Sequence, residues 1–187
     1  MERISEKWLP PPAGHDSEGS SCAAVRVLVN AYRRDQSGQR VAAALLWTGD
    51  RYLDLGSLLP GDAGWVIAED MSDRGEVVGG AAAAPSGEAH AFSWRRGRMV
   101  DLGTPVPGQA ATALHVSERG HVTGYSSSAT GMEDVAFVWS CGTMHALDPY
   151  TGFAVFPRGI NDRGQMISIA TDPESVLSGV LWAPTGP

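Results

Sequence analysis

Four residues able to move protons or hold charge, Glu69, Asp70, His115 and Arg158, interrupt short apolar runs of this chain at comparable places. The segments carrying them read Ile67-Ala68-Glu69-Asp70, Thr112-Ala113-Leu114-His115 and Phe156-Pro157-Arg158-Gly159. Aligned, they set Glu69, Leu114 and Arg158 in one column and Asp70, His115 and Gly159 in the next. An imidazole beside a carboxylate exchanges protons near neutral pH, so Asp70 orienting His115 is a candidate general acid-base pair. Glu69 approaching Arg158 is a candidate ion pair at the same site. Trp65, Ile67, Thr112, Leu114, Phe156 and Cys22 are candidate walls of an apolar pocket around them. The competing reading is structural: the four polar residues pin neighbouring segments together.

Those columns have meaning only because the chain repeats. Trp47, Trp94, Trp139 and Trp182 each close a short apolar run and stand 47, 45 and 43 residues apart. Met71-Ser72-Asp73-Arg74-Gly75, Val116-Ser117-Glu118-Arg119-Gly120 and Ile160-Asn161-Asp162-Arg163-Gly164 mark the same point of three successive units. A polar pair, a basic residue and Gly between apolar runs is hairpin chemistry, because Gly takes the positive φ that returns the chain. A third strand then ends in Trp, and a tight turn leads to a fourth, as in Arg98-Met99-Val100-Asp101-Leu102-Gly103. Four short strands in about 45 residues predict one unit of a radial all-β repeat.

The expected fold is therefore a small all-β propeller of four four-stranded blades in one domain, residues 1–187, with repeats at roughly 15–56, 57–103, 104–148 and 149–187. The last repeat stops five residues after Trp182, before its outer strand. Lys7-Trp8-Leu9 resembles Tyr52-Leu53-Asp54 and Met99-Val100-Asp101, so residues 1–14 are expected to supply a closing strand and a Pro-rich turn. Closure in this way hides two edges that would otherwise template aggregation.

The motif His90-Ala91-Phe92-Ser93-Trp94, with Gly97-Arg98-Met99 and Asp101-Leu102-Gly103 after it, resembles the HAF-repeat family. The resemblance runs from about Leu45 to Trp182, and Ile160-Asn161-Asp162-Arg163-Gly164 fits the family's Ile-Asn-x-x-Gly turn. It implies a propeller-like fold and carries over no catalytic residue. His90 is replaced by Val135 and Gly179 in the following repeats, which makes it a scaffold residue or a turn contact.

The net charge of −7 disfavours a nucleic-acid partner, and the one dense basic run, Arg95-Arg96-Gly97-Arg98, falls in a turn. No stretch is apolar enough to span a membrane, and the first residues carry charges and prolines where a leader would be apolar; a cytoplasmic location is expected. Cys22 and Cys141 lack metal-binding spacing, and no cofactor motif stands out, so neither metal nor cofactor is expected. Three functions fit. One is a small-molecule-binding propeller performing cofactor-free cyclisation, isomerisation or hydrolysis of an apolar substrate in a central pocket. The others are a non-catalytic protein-interaction module and a lectin-like sugar binder. A monomer or a strand-swapped homodimer is expected.

Overall fold

The computed structural model describes residues 16–23, 26–34, 38–127, 134–147, 155–171 and 177–184. Within them the chain forms antiparallel sheets one after another. The first holds β1 (Asp16–Ala23), β2 (Arg26–Arg34), β3 (Arg40–Trp47) and β4 (Tyr52–Asp54), in that order. The second holds β5 (Val66–Met71), β6 (Val77–Ala82), β7 (Ala89–Arg95) and β8 (Arg98–Gly103). The third holds β9 (Ala110–Val116), β10 (Val122–Ser127), β11 (Val135–Ser140) and β12 (Thr143–Ala146). The fourth has three strands, β13 (Val155–Ile160), β14 (Met166–Thr171) and β15 (Leu177–Trp182). A single 3-10 turn, Pro60–Asp62, links the first sheet to the second.

Turn chemistry sets these hairpins. Between first and second strands, Gly75, Gly120 and Gly164 take φ of 79°, 79° and 70° and donate back to Ser72, Ser117 and Asn161 carbonyls. The side chains of Ser72, Ser117 and Asn161 then accept the amides of Glu76, His121 and Gln165, fixing the return strand. Between third and fourth strands the turns have two central residues, Arg96-Gly97 and Cys141-Gly142, all at positive φ. That is the geometry whose twist matches the flanking strands. The Asp-Leu-Gly ending has an equally local cause: Asp54 and Asp101 accept the amides of Gly56 and Gly103 at 2.9 and 2.7 Å.

Each first strand carries a β-bulge. Ladder pairing skips a residue between Ala68 and Asp70, between Ala113 and His115, and between Pro157 and Gly159, leaving Glu69, Leu114 and Arg158 as the extra residues. β1 is irregular in the same way between Gly19 and Cys22. The bulge presses the first strand toward the second. A Cβ on Gly79 or Gly124 would lie 2.0 Å from the carbonyl oxygen of Ile67 or Thr112, so only glycine fits there.

Successive sheets pack in sequence order. β5 lies against β1, β2 and β3, β9 against β5, β6 and β7, and β13 against β9, β10 and β11. The layer between the first two sheets is the largest, with Leu28, Leu46, Leu55, Val66, Met71, Val77, Phe92 and Trp94 buried together. Between the second and third lie Val78, Ala91, Ala111, Ala113, Val116, Val122 and Phe137. Between the third and fourth the enclosed cluster is smaller, with Ala136, Val155 and Ala170 buried, Leu147, Val180 and Trp182 half-buried against them, and Met166 buried beside it on Thr123.

The expected closed ring of four four-stranded blades is not what forms. Among the described residues the fourth sheet makes no packing with the first comparable to that between successive sheets, and it has three strands. The sheets remain separate and the row stays open. The physical reason is that each interface is built from the strands of consecutive repeats, and no equivalent pairing of faces joins the ends. Lys7-Trp8-Leu9, expected to close the ring, lies outside the described residues. Among the described residues no helix is long and apolar enough to cross a membrane.

Candidate interaction edge

Asp70 and His115 are neighbours, as the aligned columns implied. His115 Nδ1 stands 4.0 Å from Asp70 Oδ2, too far for a hydrogen bond. The carboxylate is engaged elsewhere: Oδ1 accepts the Met71 amide at 2.8 Å and Oδ2 accepts the Val116 amide at 3.0 Å. The second of these crosses from β5 to β9, so Asp70 ties the second sheet to the third. Glu69, on the bulge, is raised above its ordinary pKa by desolvation. No ion pair joins it to Arg158 among the described residues.

The candidate pocket walls disperse. Ile67 and Phe156 are exposed, Trp65, Thr112 and Leu114 are half-buried, and Cys22 lies in β1, whose side chains are outside the described set. Thr112 packs on Gly80 of the neighbouring sheet, where an added Cβ would meet its Oγ1 at 2.9 Å. A cleft of about 520 Å³ does exist, between the third and fourth sheets, lined by His121, Ser140, Cys141, His145, Trp182 and Pro184 among others. None of the ten residues expected to form a central site borders it. Without a closed ring there is no axial pocket, and the small-molecule-binding propeller with cyclase-like activity is withdrawn. Among the described residues no three His, Cys, Asp or Glu side chains are arranged to hold a metal.

The chain of acids that links the repeats is a feature the columns did not reveal. Glu118 accepts the amides of Asp73 and Arg74 at 2.6 and 3.3 Å, and Asp162 accepts that of Arg119 at 3.0 Å. In these two turns the acid thus holds the backbone of the turn before it. Asn30 does similar work deeper in, donating to Ala68 O at 2.8 Å and accepting Ala68 N–H at 2.9 Å.

Among the described residues the fourth sheet ends at β15. In the first three sheets the Trp of the third strand is paired directly across from an aromatic or thioether side chain of the fourth: Trp47 with Tyr52, Trp94 with Met99, Trp139 with Met144. Trp182 pairs inward with Met166 of β14, its Nε1 donates to Ser168 Oγ at 2.8 Å, and no fourth strand lies on its other side among the described residues. The outward face around it is apolar. Leu177 is 69% exposed, Leu181 65% and Ile167 54%, and Ile167 sits directly opposite Leu181. Phe156, also exposed, continues this surface through Ile169, its partner across the ladder. An open strand edge beside exposed large apolar side chains is a recognition surface unless it is covered.

Compared with known proteins, the chain matches no family model and no curated protein is significantly similar to it. The resemblance to HAF repeats is corrected accordingly: it rests on short turn and strand motifs that the local chemistry above accounts for, and neither a family match nor a closed fold supports it.

Proposed function

We propose that the chain is a non-catalytic interaction module that binds an extended segment along β15. The observation that carries the reading is that Trp182 alone of the four repeat tryptophans has no fourth-strand partner among the described residues, while Leu177 and Leu181 beside it are exposed. Backbone N–H and C=O groups on such an edge call for another strand, which supplies affinity through the ladder and specificity through alternate side chains. The other three sheets specify the side chains: Tyr or Met opposite Trp, then Leu or Val on the outward face, as at Tyr52-Leu53 and Met99-Val100.

One domain of four linked repeats, 15–56, 57–103, 104–148 and 149–187, belongs to this reading, with Asp70 and His115 as a joint between repeats. So do a cytoplasmic location and the absence of a nucleic-acid partner, which the net charge of −7 favours.

A peptide copying Arg98–Gly103 tests it on the full chain by hydrogen exchange. Slowed exchange of the β15 amides, abolished by Leu181→Lys, is the expected result. Protection spread evenly over the molecule, or none at β15 with the wild-type protein, sinks the reading.

A further inference from the structure

We infer that the cleft between the third and fourth sheets is a socket for one side chain of the segment bound along β15, and that the side chain it takes is a methionine standing opposite Trp182. The inference rests on the edge-binding reading above and names the residue by which the partner is selected.

The earlier layers show what such a position takes. Met99, directly across from Trp94, packs against the layer between the first two sheets. Met144, directly across from Trp139, packs with Leu102 against the layer between the second and third. In the layer between the third and fourth sheets Leu147 holds the place of Leu102, and Trp182 that of Trp139. Both also line the cleft of about 520 Å³, which is therefore continuous with that layer.

The ladder fixes which face an added strand turns to the cleft. Residues directly opposite one another on antiparallel strands project from the same side of the sheet. Trp182 pairs with Met166 and Val180 with Ser168, and Met166 and Ser168 are buried on the layer side. Leu181 pairs with Ile167 on the other side, where both are exposed. A strand laid on β15 in the register of the complete sheets thus points the residue opposite Trp182 into the cleft, and the next residue toward Leu181. Methionine suits the first position because its long unbranched side chain fills irregular space and its thioether packs well on an aromatic ring. Val138 and Pro184 add apolar wall around it. Cys141, in the turn between β11 and β12, lines the same cleft and is exposed, so its reactivity reports whether the cleft is filled.

The test adds the peptide copying Arg98–Gly103, whose methionine is Met99, to the full-length protein. Hydrogen exchange of the β15 amides and alkylation of Cys141 by iodoacetamide are followed residue by residue by mass spectrometry. Both are expected to slow together. Met99→Ala in the peptide should weaken binding at least about tenfold, the order set by withdrawing a buried side chain of that size, and should release Cys141. Val100→Ala in the peptide, on the other face, should weaken binding less and leave Cys141 protected. Slowed β15 exchange with unchanged alkylation of Cys141, or equal binding by the Met99→Ala peptide, overturns the socket and leaves the edge reading standing. Failure of the edge reading looks different: no peptide then slows exchange at β15, and the socket falls with it.

Discussion

β7 and β15 occupy the same place in their repeats and have opposite fates. β7 is flanked on both sides, and Phe92 and Trp94 on it are 0% and 5% exposed. β15 has one neighbour among the described residues, and Leu177, Ser178, Gly179 and Leu181 are all exposed. Similar strand sequences are thus a core in one sheet and a surface in the other. The difference lies in what stands beside them: a fourth strand, and the size of the apolar layer beneath. The largest buried apolar layer lies between the first two sheets, and the proposed recognition edge lies on the last.

Truncating each strand's central apolar residue should break the comparison most sharply. Phe92→Ala is expected to cost about 3–5 kcal/mol in denaturant unfolding, and Val180→Ala under ~1.5 kcal/mol, because only the first leaves an enclosed cavity. Equal costs would show that the fourth sheet is as tightly held as the second. Glycines sharpen the contrast at a smaller scale. Gly79→Ala forces a Cβ into the Ile67 carbonyl and should lose at least ~1–3 kcal/mol, whereas a Cβ on Gly179 meets nothing within 4 Å and Gly179→Ala should be neutral or gain up to ~1 kcal/mol. A destabilised Gly179→Ala would mean that β15 is covered by backbone.

Next in size is the joint between repeats. Asp70→Asn keeps the shape but weakens the charge-assisted bond to the Val116 amide, at an expected cost of about 1 kcal/mol given its partial exposure. His115→Ala should cost less than about 0.5 kcal/mol, since the ring stands beyond hydrogen-bond distance. The reverse order in thermal melts would return His115 to a central role.

The smallest effect is a pH dependence. Desolvation raises the folded-state pKa of Glu69 above its ordinary 4.5, so the folded protein holds this proton more tightly than the unfolded chain. The corresponding stability is fully present below 4.5 and is lost as pH rises through the raised value. Glu69→Gln should flatten that part of the stability profile. An unchanged slope would assign it to other carboxylates.

Much of the all-β character was legible because its causes are local. Period-two alternation, the Gly75, Gly120 and Gly164 turns and the Asp-Leu-Gly endings each act within a few residues. Ring closure had no such signal. It depends on whether the face of β13 to β15 meets that of β1 to β4, and the small residues that line these sheets look alike whether or not they are covered. The candidate site was legible in half its features. Alignment brought Asp70 and His115 together, but it could not show that both carboxylate oxygens are occupied by backbone amides. The bulge hid this, since one extra residue per first strand shifts every side chain after it to the other face.

That extra residue has a consequence for how such a chain can change over time. Glu69, Leu114 and Arg158 stand where the ladder has no partner for them, so an acid, a hydrocarbon and a base are accommodated at one repeat position without altering the strands around it. Each repeat thereby owns a single free letter on a fixed frame. A lineage can rewrite the charge and shape presented along the row one letter at a time, while the turns and glycines that build the frame stay as they are.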